Sequence, residues 1–183
     1  MHLLCDIDGV HIPFPTPDGQ IPDGFHTHHV TPTGHAEPVK IWLNPTTGRL
    51  LLDLVARLPL TPLWCTSWRA DAHPLIGTRL ALPAWDYVDL PRLPLTTSHP
   101  NGYLWKRDTV AALHKEPLIW IDDDFTPADH TWAHNRTTSG TPTLLIQPNP
   151  HIGLTQADVT PIPLWTTRHT GDSAGFFGDL PAG

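Results

Sequence analysis

The chain reads as an α/β protein built on a doubly wound, mainly parallel sheet. Short apolar runs recur at residues 2–6, 60–65, 117–121 and 143–147, continuous rather than alternating, as strands buried on both faces are. Stretches with helical spacing or helix caps lie between them. The first three runs also end in polar side chains, and in such sheets ligands sit beyond the carboxyl ends of the strands.

The elements follow in order. LLCD closes the first strand on Asp6, and Asp8 and Gly9 come at once after it. The next thirty or so residues are rich in Pro, Gly, Thr and His, longer than an ordinary βα loop. They predict a flap or small cap inserted over about 11–43, with 40–43 as its returning strand. In NPTTGRLLLDLVARL, Asn44 is a cap, Pro45 suits the first helical position, and Leu50, Leu51, Leu54, Val55 and Leu58 form one apolar stripe. Further helices are expected over 69–80, 106–114, 128–135 and 155–160. The α/β domain therefore covers about 1–165, and a Gly-rich polar tail, 166–183, is expected to wrap the surface or fray.

Composition narrows the function. Hydrophobic residues make up 39% of 183 and charged ones 16%, which suits a globular chain. The 22 prolines exceed twice the usual share of about 5% and predict many short loops of fixed φ. Net charge is −7 without a Lys/Arg cluster, which argues against a grip on duplex DNA. Thirteen histidines make the charge sensitive to mild acid, and most are expected to be solvated. No run approaches a membrane span and no targeting segment stands at the N-terminus, so a cytoplasmic protein is expected. Cys5 and Cys65 close apolar strands and predict buried, reduced thiols.

Strand one delivers Asp6 and Asp8, strand two ends in Thr66 and Ser67, and PLIWI ends in Asp122, Asp123 and Asp124. Parallel strands bring all three clusters to one edge, which Lys106 reaches from a helix start. Two carboxylates one residue apart repel each other unless a cation sits between them. Mg²⁺ prefers carboxylate and water oxygens, and it is the missing cation between Asp6 and Asp8. A carboxylate nucleophile can form an aspartyl-phosphate, and a lysine beside it screens the attack of anion on anion. An Asp-x-Asp-Gly alone would also fit a turn or a calcium loop. A calcium loop needs its glycine later and a glutamate at its twelfth position, where Pro17 stands.

Taken together, these residues resemble the motifs of the haloacid dehalogenase (HAD) superfamily in order: Asp6-Ile7-Asp8-Gly9, Thr66, Lys106 and the Asp122–Asp124 run. IWLNP, LWCTSWRADAH, WIDDDF and PTLLI…GLT resemble more narrowly the HAD domain of Swiss Army Knife RNA repair proteins. The resemblance implies a HAD-like Rossmannoid fold and a Mg²⁺-dependent phosphomonoester phosphatase. Asp6 is then the nucleophile and a metal ligand. Asp8 gives its carbonyl to the metal and its carboxyl to the leaving group as general acid, then to water as base. Thr66 holds a phosphate oxygen, Lys106 neutralises charge, Asp123 meets the metal, Asp122 meets Lys106, and Asp124 stays outside. RNA or nucleotide ends are the implied substrate; a small metabolite phosphate, or a phosphate-recognising module without catalysis, are the alternatives. Ser67, Trp68 and Trp42 are substrate-contact candidates, the tryptophans by stacking on a base. His26, His28 and His29 in the flap, and His130 with His134 at helical spacing, lack the partners of a transition-metal site and are expected to bind none.

Overall fold

A computed structural model describes residues 1–92 and 98–170. The chain runs through β1 (His2–Cys5), the hairpin strands β2 (His26–Val30) and β3 (Val39–Leu43), α1 (Pro45–Arg57), β4 (Thr61–Trp64), α2 (Arg107–Leu113), β5 (Leu118–Ile121), α3 (Pro127–Thr138), β6 (Thr143–Ile146), α4 (Gln156–Val159) and α5 (Ile162–His169). The main sheet has the order β4-β1-β5-β6 with every pair parallel, while β2 and β3 pair antiparallel by themselves. The class expected from the sequence, α/β with a parallel sheet, is thus present. Strand order reverses beside β1: the chain steps to β4 on one side, then crosses to β5 on the other. The crevice between β1 and β5 is the switch point where such sheets bind ligands.

Both faces of the sheet are covered, which explains the continuous apolar strands. Leu3, Cys5, Ile119, Ile121 and Ile146 pack with Leu51 and Leu54 of α1 and Ile162 of α5. Leu4, Leu118 and Trp120 face the other way, with Val110 of α2, Phe125 and the partly buried Trp132 of α3. α1 begins as its sequence predicts, with the Asn44 side chain accepting from the Thr46 N–H at 2.9 Å and Pro45 in the first turn. Gly48 lets this helix lie against the chain at Leu80, since a Cβ there would stand 2.2 Å from the Leu80 carbonyl oxygen.

Three expectations need correction. The helix expected over 69–80 is a 3₁₀ turn, Arg69–Asp71, followed by a π-helical stretch, Ala72–Gly77. Pro74 has no N–H to give to the preceding turn, Arg69 sits at φ 51, and Thr78 bonds back five residues to His73 at 3.0 Å. α3 extends a turn beyond 128–135 at its C-terminal end. The polar tail does not begin at Thr166, which is a buried position in α5; the remainder, 171–183, lies outside the described residues. Among the described residues no helix is long and apolar enough to cross a membrane.

Candidate active site

Sheet register assembles the site. Cys5 pairs with Trp64 on one side and Ile121 on the other, so the next residues, Asp6, Cys65 and Asp122, stand level at the carboxyl edge. The Asp6 N–H donates to the Ile121 carbonyl at 2.9 Å, which holds the nucleophile candidate in line with the acids after β5. Lys106 enters from the cap of α2, its Nζ 2.6 Å from Asp6 Oδ2 and 2.8 Å from Asp122 Oδ2. All three side chains are almost fully buried. Burial works against the ammonium, but Asp122 and Asp6 outweigh it and hold Lys106 above the ordinary lysine range. At Asp122 burial is the larger effect and pushes the carboxyl up against the pull of Lys106.

The loop that carries Lys106 is fixed by a residue the sequence reading passed over. Buried Asp129 accepts from the Leu104 N–H at 3.1 Å and from the Thr126 N–H at 2.9 Å, and pairs with Arg107 at 3.4 Å. Asp129 at the third position of α3 after Thr126 is a capping-box pattern in the sequence, but its hold on Leu104 comes from the fold.

Asp8 is turned away from this trio. Its Oδ2 accepts from the indole Nε1–H of Trp68 at 3.0 Å and from the Ser67 hydroxyl at 3.4 Å. Burial, then the charge on Asp6, raises its pKa to about 6, while the Trp68 bond pulls the other way. The expected metal ligand therefore does not offer its carboxyl to the cluster, and the resemblance itself asks only for its backbone carbonyl. Trp68, expected to meet a base, borders the cavity and at the same time fixes the Asp8 carboxyl.

Asp6, Asp122 and Asp123 do converge, each offering a carboxylate oxygen within 4.8 Å of the others. Asp6 Oδ1 is buried and has no hydrogen-bond partner among the described residues, although the other oxygen of the same carboxylate is paired. A bare, buried carboxylate oxygen facing further carboxylates calls for a cation. An all-oxygen donor set fits a hard divalent ion of the Mg²⁺ class. Burial, then the charge on Asp6, raises Asp123 to about 7. Gly9 makes the room: at φ +69, a Cβ on it would lie 2.1 Å from Asp123 Cγ. Asp124 remains outside, donating its backbone N–H to Asp122 Oδ1 at 3.2 Å.

These residues open into a cavity of about 810 Å³. Asp6, Asp8, Ser67, Trp68, Lys106 and Asp123 form its floor, and Phe14, Tyr87, Arg69 and Arg92 are among its walls. Thr33, in the turn between β2 and β3, reaches the rim and donates its N–H and hydroxyl to the Asp71 carboxylate at 2.7 and 2.8 Å. Thr66 is fully buried behind the floor, where its Oγ1 accepts from the Trp68 N–H at 3.4 Å; the hydroxyl on the cavity surface is that of Ser67. Trp42 is not on the wall; on β3 it packs near Lys40, whose Nζ lies 5.4 Å from its ring centroid. His26, His28 and His29 lie along β2, and His130 faces Gln147 at 3.2 Å. No family model, curated protein or solved structure matches the chain, so the functional reading rests on these residues.

Proposed function

We propose that the chain is a Mg²⁺-dependent phosphomonoester phosphatase of the haloacid dehalogenase type that works through an aspartyl-phosphate on Asp6. One observation carries the reading: Asp6 has one oxygen paired to buried Lys106 and the other buried without a hydrogen-bond partner among the described residues, and its carboxylate converges with those of Asp122 and Asp123. Asp6, Asp123 and the Asp8 carbonyl are the groups that would hold Mg²⁺, with Asp122 beside them. The ion, when bound, offsets charge on the transferring phosphoryl group.

The chain's own residues do the rest. An Asp6 carboxylate oxygen attacks phosphorus and the ester P–O bond breaks. The departing alkoxide takes a proton from Asp8, whose pKa of about 6 suits a group that is acid in one step and base in the next. Water then attacks the phosphorus of the acyl phosphate and gives its proton to Asp8. Inorganic phosphate leaves and Asp6 is regenerated as carboxylate. Lys106 screens the negative charge gathering on Asp6 and the phosphoryl oxygens. Ser67 and Trp68 keep Asp8 aimed.

The substrate class we propose is the phosphate end of a nucleotide or RNA, supported by exposed Tyr87 and Phe14 beside Arg69 and Arg92 on the cavity wall. A small-metabolite phosphatase is the second reading, favoured by the tie from Thr33 to Asp71 across the rim. The purified chain with Mg²⁺ should hydrolyse an aryl phosphate, and Asp6→Asn should abolish turnover; activity surviving in that variant removes the nucleophile. RNA oligonucleotides with 3′ or 5′ phosphates, run against a metabolite panel, separate the two substrate classes. Indifference to all of them would favour a phosphate-recognising module.

A further inference from the structure

A second cluster of ligating side chains lies at the opposite end of the sheet. His2 opens β1, His114 caps the C-terminus of α2, and Glu116 precedes β5 by two residues. Their ligating atoms, His2 Nδ1, His114 Nδ1 and Glu116 Oε1, converge within 4.8 Å of one another. The two Nδ1 atoms are 2.9 Å apart, His114 Nδ1 is 3.4 Å from Glu116 Oε1, and His2 Nδ1 is in close contact with the same oxygen. Four residues of strand at about 3.3 Å each put this cluster roughly 13 Å from Asp6.

With Glu116 ionised, no arrangement of protons satisfies these three contacts together. Each neutral imidazole has one N–H, and the carboxylate has none. With both Nδ1 atoms protonated, two N–H groups face each other at 2.9 Å. With His2 alone protonated there, the His114 lone pair faces the Glu116 oxygen. With His114 alone protonated, the His2 lone pair faces that oxygen at still closer range. A proton on Glu116 could close the triangle, donating to His114 while His2 donates to both, but only by holding the carboxyl in its neutral form. A single cation accepts all three lone pairs at once. Tetrahedral zinc with N and O ligands at 2.0–2.1 Å keeps its ligands about 3.3 Å apart, which matches the His114–Glu116 spacing of 3.4 Å, while both His2 contacts are shorter and would lengthen around an ion.

The ligands are also held before any ion arrives. Arg136 of α3 donates to the carbonyl oxygens of His114 and Glu116 at 3.0 and 3.1 Å and to Thr143 Oγ1 at 2.9 Å, which pins the turn between α2 and β5. The rings of His2 and His114 stand edge to face, 4.8 Å between centroids. Among the described residues His114 Nε2 is buried with no partner, so the polar contacts seen to orient its ring are those of Nδ1.

From this we infer that His2, His114 and Glu116 form a transition-metal site of the zinc class, with three protein ligands and a fourth position open to water, separate from the acidic site at the other edge. Two neutral imidazoles and one carboxylate are the borderline-soft and hard donors that zinc accepts and that Mg²⁺ does not seek. The site closes the bottom of the β1–β5 crevice, where an ion ties the start of β1 to the end of α2.

The test is calorimetric titration of chelator-stripped full-length chain with Zn²⁺, carried out in an Asp123→Asn background so that the acidic cluster contributes less. One Zn²⁺ per chain is expected, with a rise in Tm on binding. Glu116→Gln and His2→Gln, both at partly exposed positions that the fold tolerates, should each weaken binding by more than the about 10–100-fold that loss of an outer partner costs. Co²⁺ should give d–d bands of tetrahedral intensity in the parent and not in either variant. Absence of Zn²⁺ binding, or binding left unchanged by both substitutions, overturns the site and leaves a frustrated hydrogen-bond cluster.

Discussion

Asp6 has two oxygens in different circumstances, one against Lys106 and one bare, and Gly9 decides whether the bare one has company. Alanine at position 9 would carry two penalties. The positive φ costs about 1–2 kcal/mol for an L side chain, and the new Cβ lands on the Asp123 carboxylate. Since that carboxylate is the end of a rotatable side chain, it will swing aside rather than unfold the strand end. Gly9→Ala should therefore lose only about 1–2 kcal/mol of stability while raising the Mg²⁺ concentration needed for half-maximal turnover severalfold. A stability loss with no change in Mg²⁺ dependence would reduce Gly9 to a turn residue. Asp6, Asp8, Lys106 and the run at Asp122 could be singled out from the sequence because their roles follow from residue type at strand and helix ends. The bond from Trp68 to Asp8 could not, since it depends on how the turn after β4 folds back over β1. Nor could the trio of His2, His114 and Glu116, whose partner lies 112 positions along the chain.

At the scale of elements, the β2–β3 hairpin is joined to the rim of the cavity by one carboxylate. Asp71 accepts both the N–H and the hydroxyl of Thr33, and it sits in the 3₁₀ turn immediately before the π-helical stretch. That placement accompanies the departure of the segment over 69–80 from the α-helix expected after the second core strand. A regular helix would need an N–H at position 74, whereas the tighter turn places Asp71 to meet the hairpin. Asp71→Ala should release the turn between β2 and β3 with less than about 1–2 kcal/mol lost overall. Hydrogen exchange should speed up at the Thr33 amide and its neighbours, and KM for a small phosphate ester should rise with kcat nearly unchanged. Unaltered exchange at Thr33 would mean the hairpin is held elsewhere. The hairpin itself was legible from its length and composition, and α1 from its cap and stripe. The tie of the hairpin to the turn at Asp71 was not, because a single Thr–Asp contact leaves no periodic trace.

For the whole molecule, pH dependence weighs two opposed groups of buried side chains. His11 departs from the expectation that most of the histidines are solvated: it is fully buried, with Nδ1 2.9 Å from Thr47 Oγ1 and Nε2 3.4 Å from Cys5 Sγ. Burial lowers it to about 3. Between that value and about 6.5 the unfolded chain takes up a proton that the folded one refuses, so this stability is complete above 6.5 and lost as pH falls, by about 1.4 kcal/mol per unit. Asp8 at about 6 and Asp123 at about 7 act in reverse. Raised above their unfolded values, they bind protons in the folded state first, so their charged forms cost stability at high pH and the cost is relieved as pH falls from 7 toward 4. With Asp8 and Asp123, and Asp122 raised beside them, against one imidazole, the metal-free chain should gain stability as pH falls to about 4, and should weaken below that, where only the His11 loss continues. Mg²⁺ favours the ionised carboxyls, so it should raise the denaturation midpoint more at pH 8 than at pH 5 and move the maximum upward. Urea midpoints across that range, with and without Mg²⁺, decide the matter. Equal stabilisation at both pH values would mean that the carboxyls at the β1–β5 crevice are not where the ion binds.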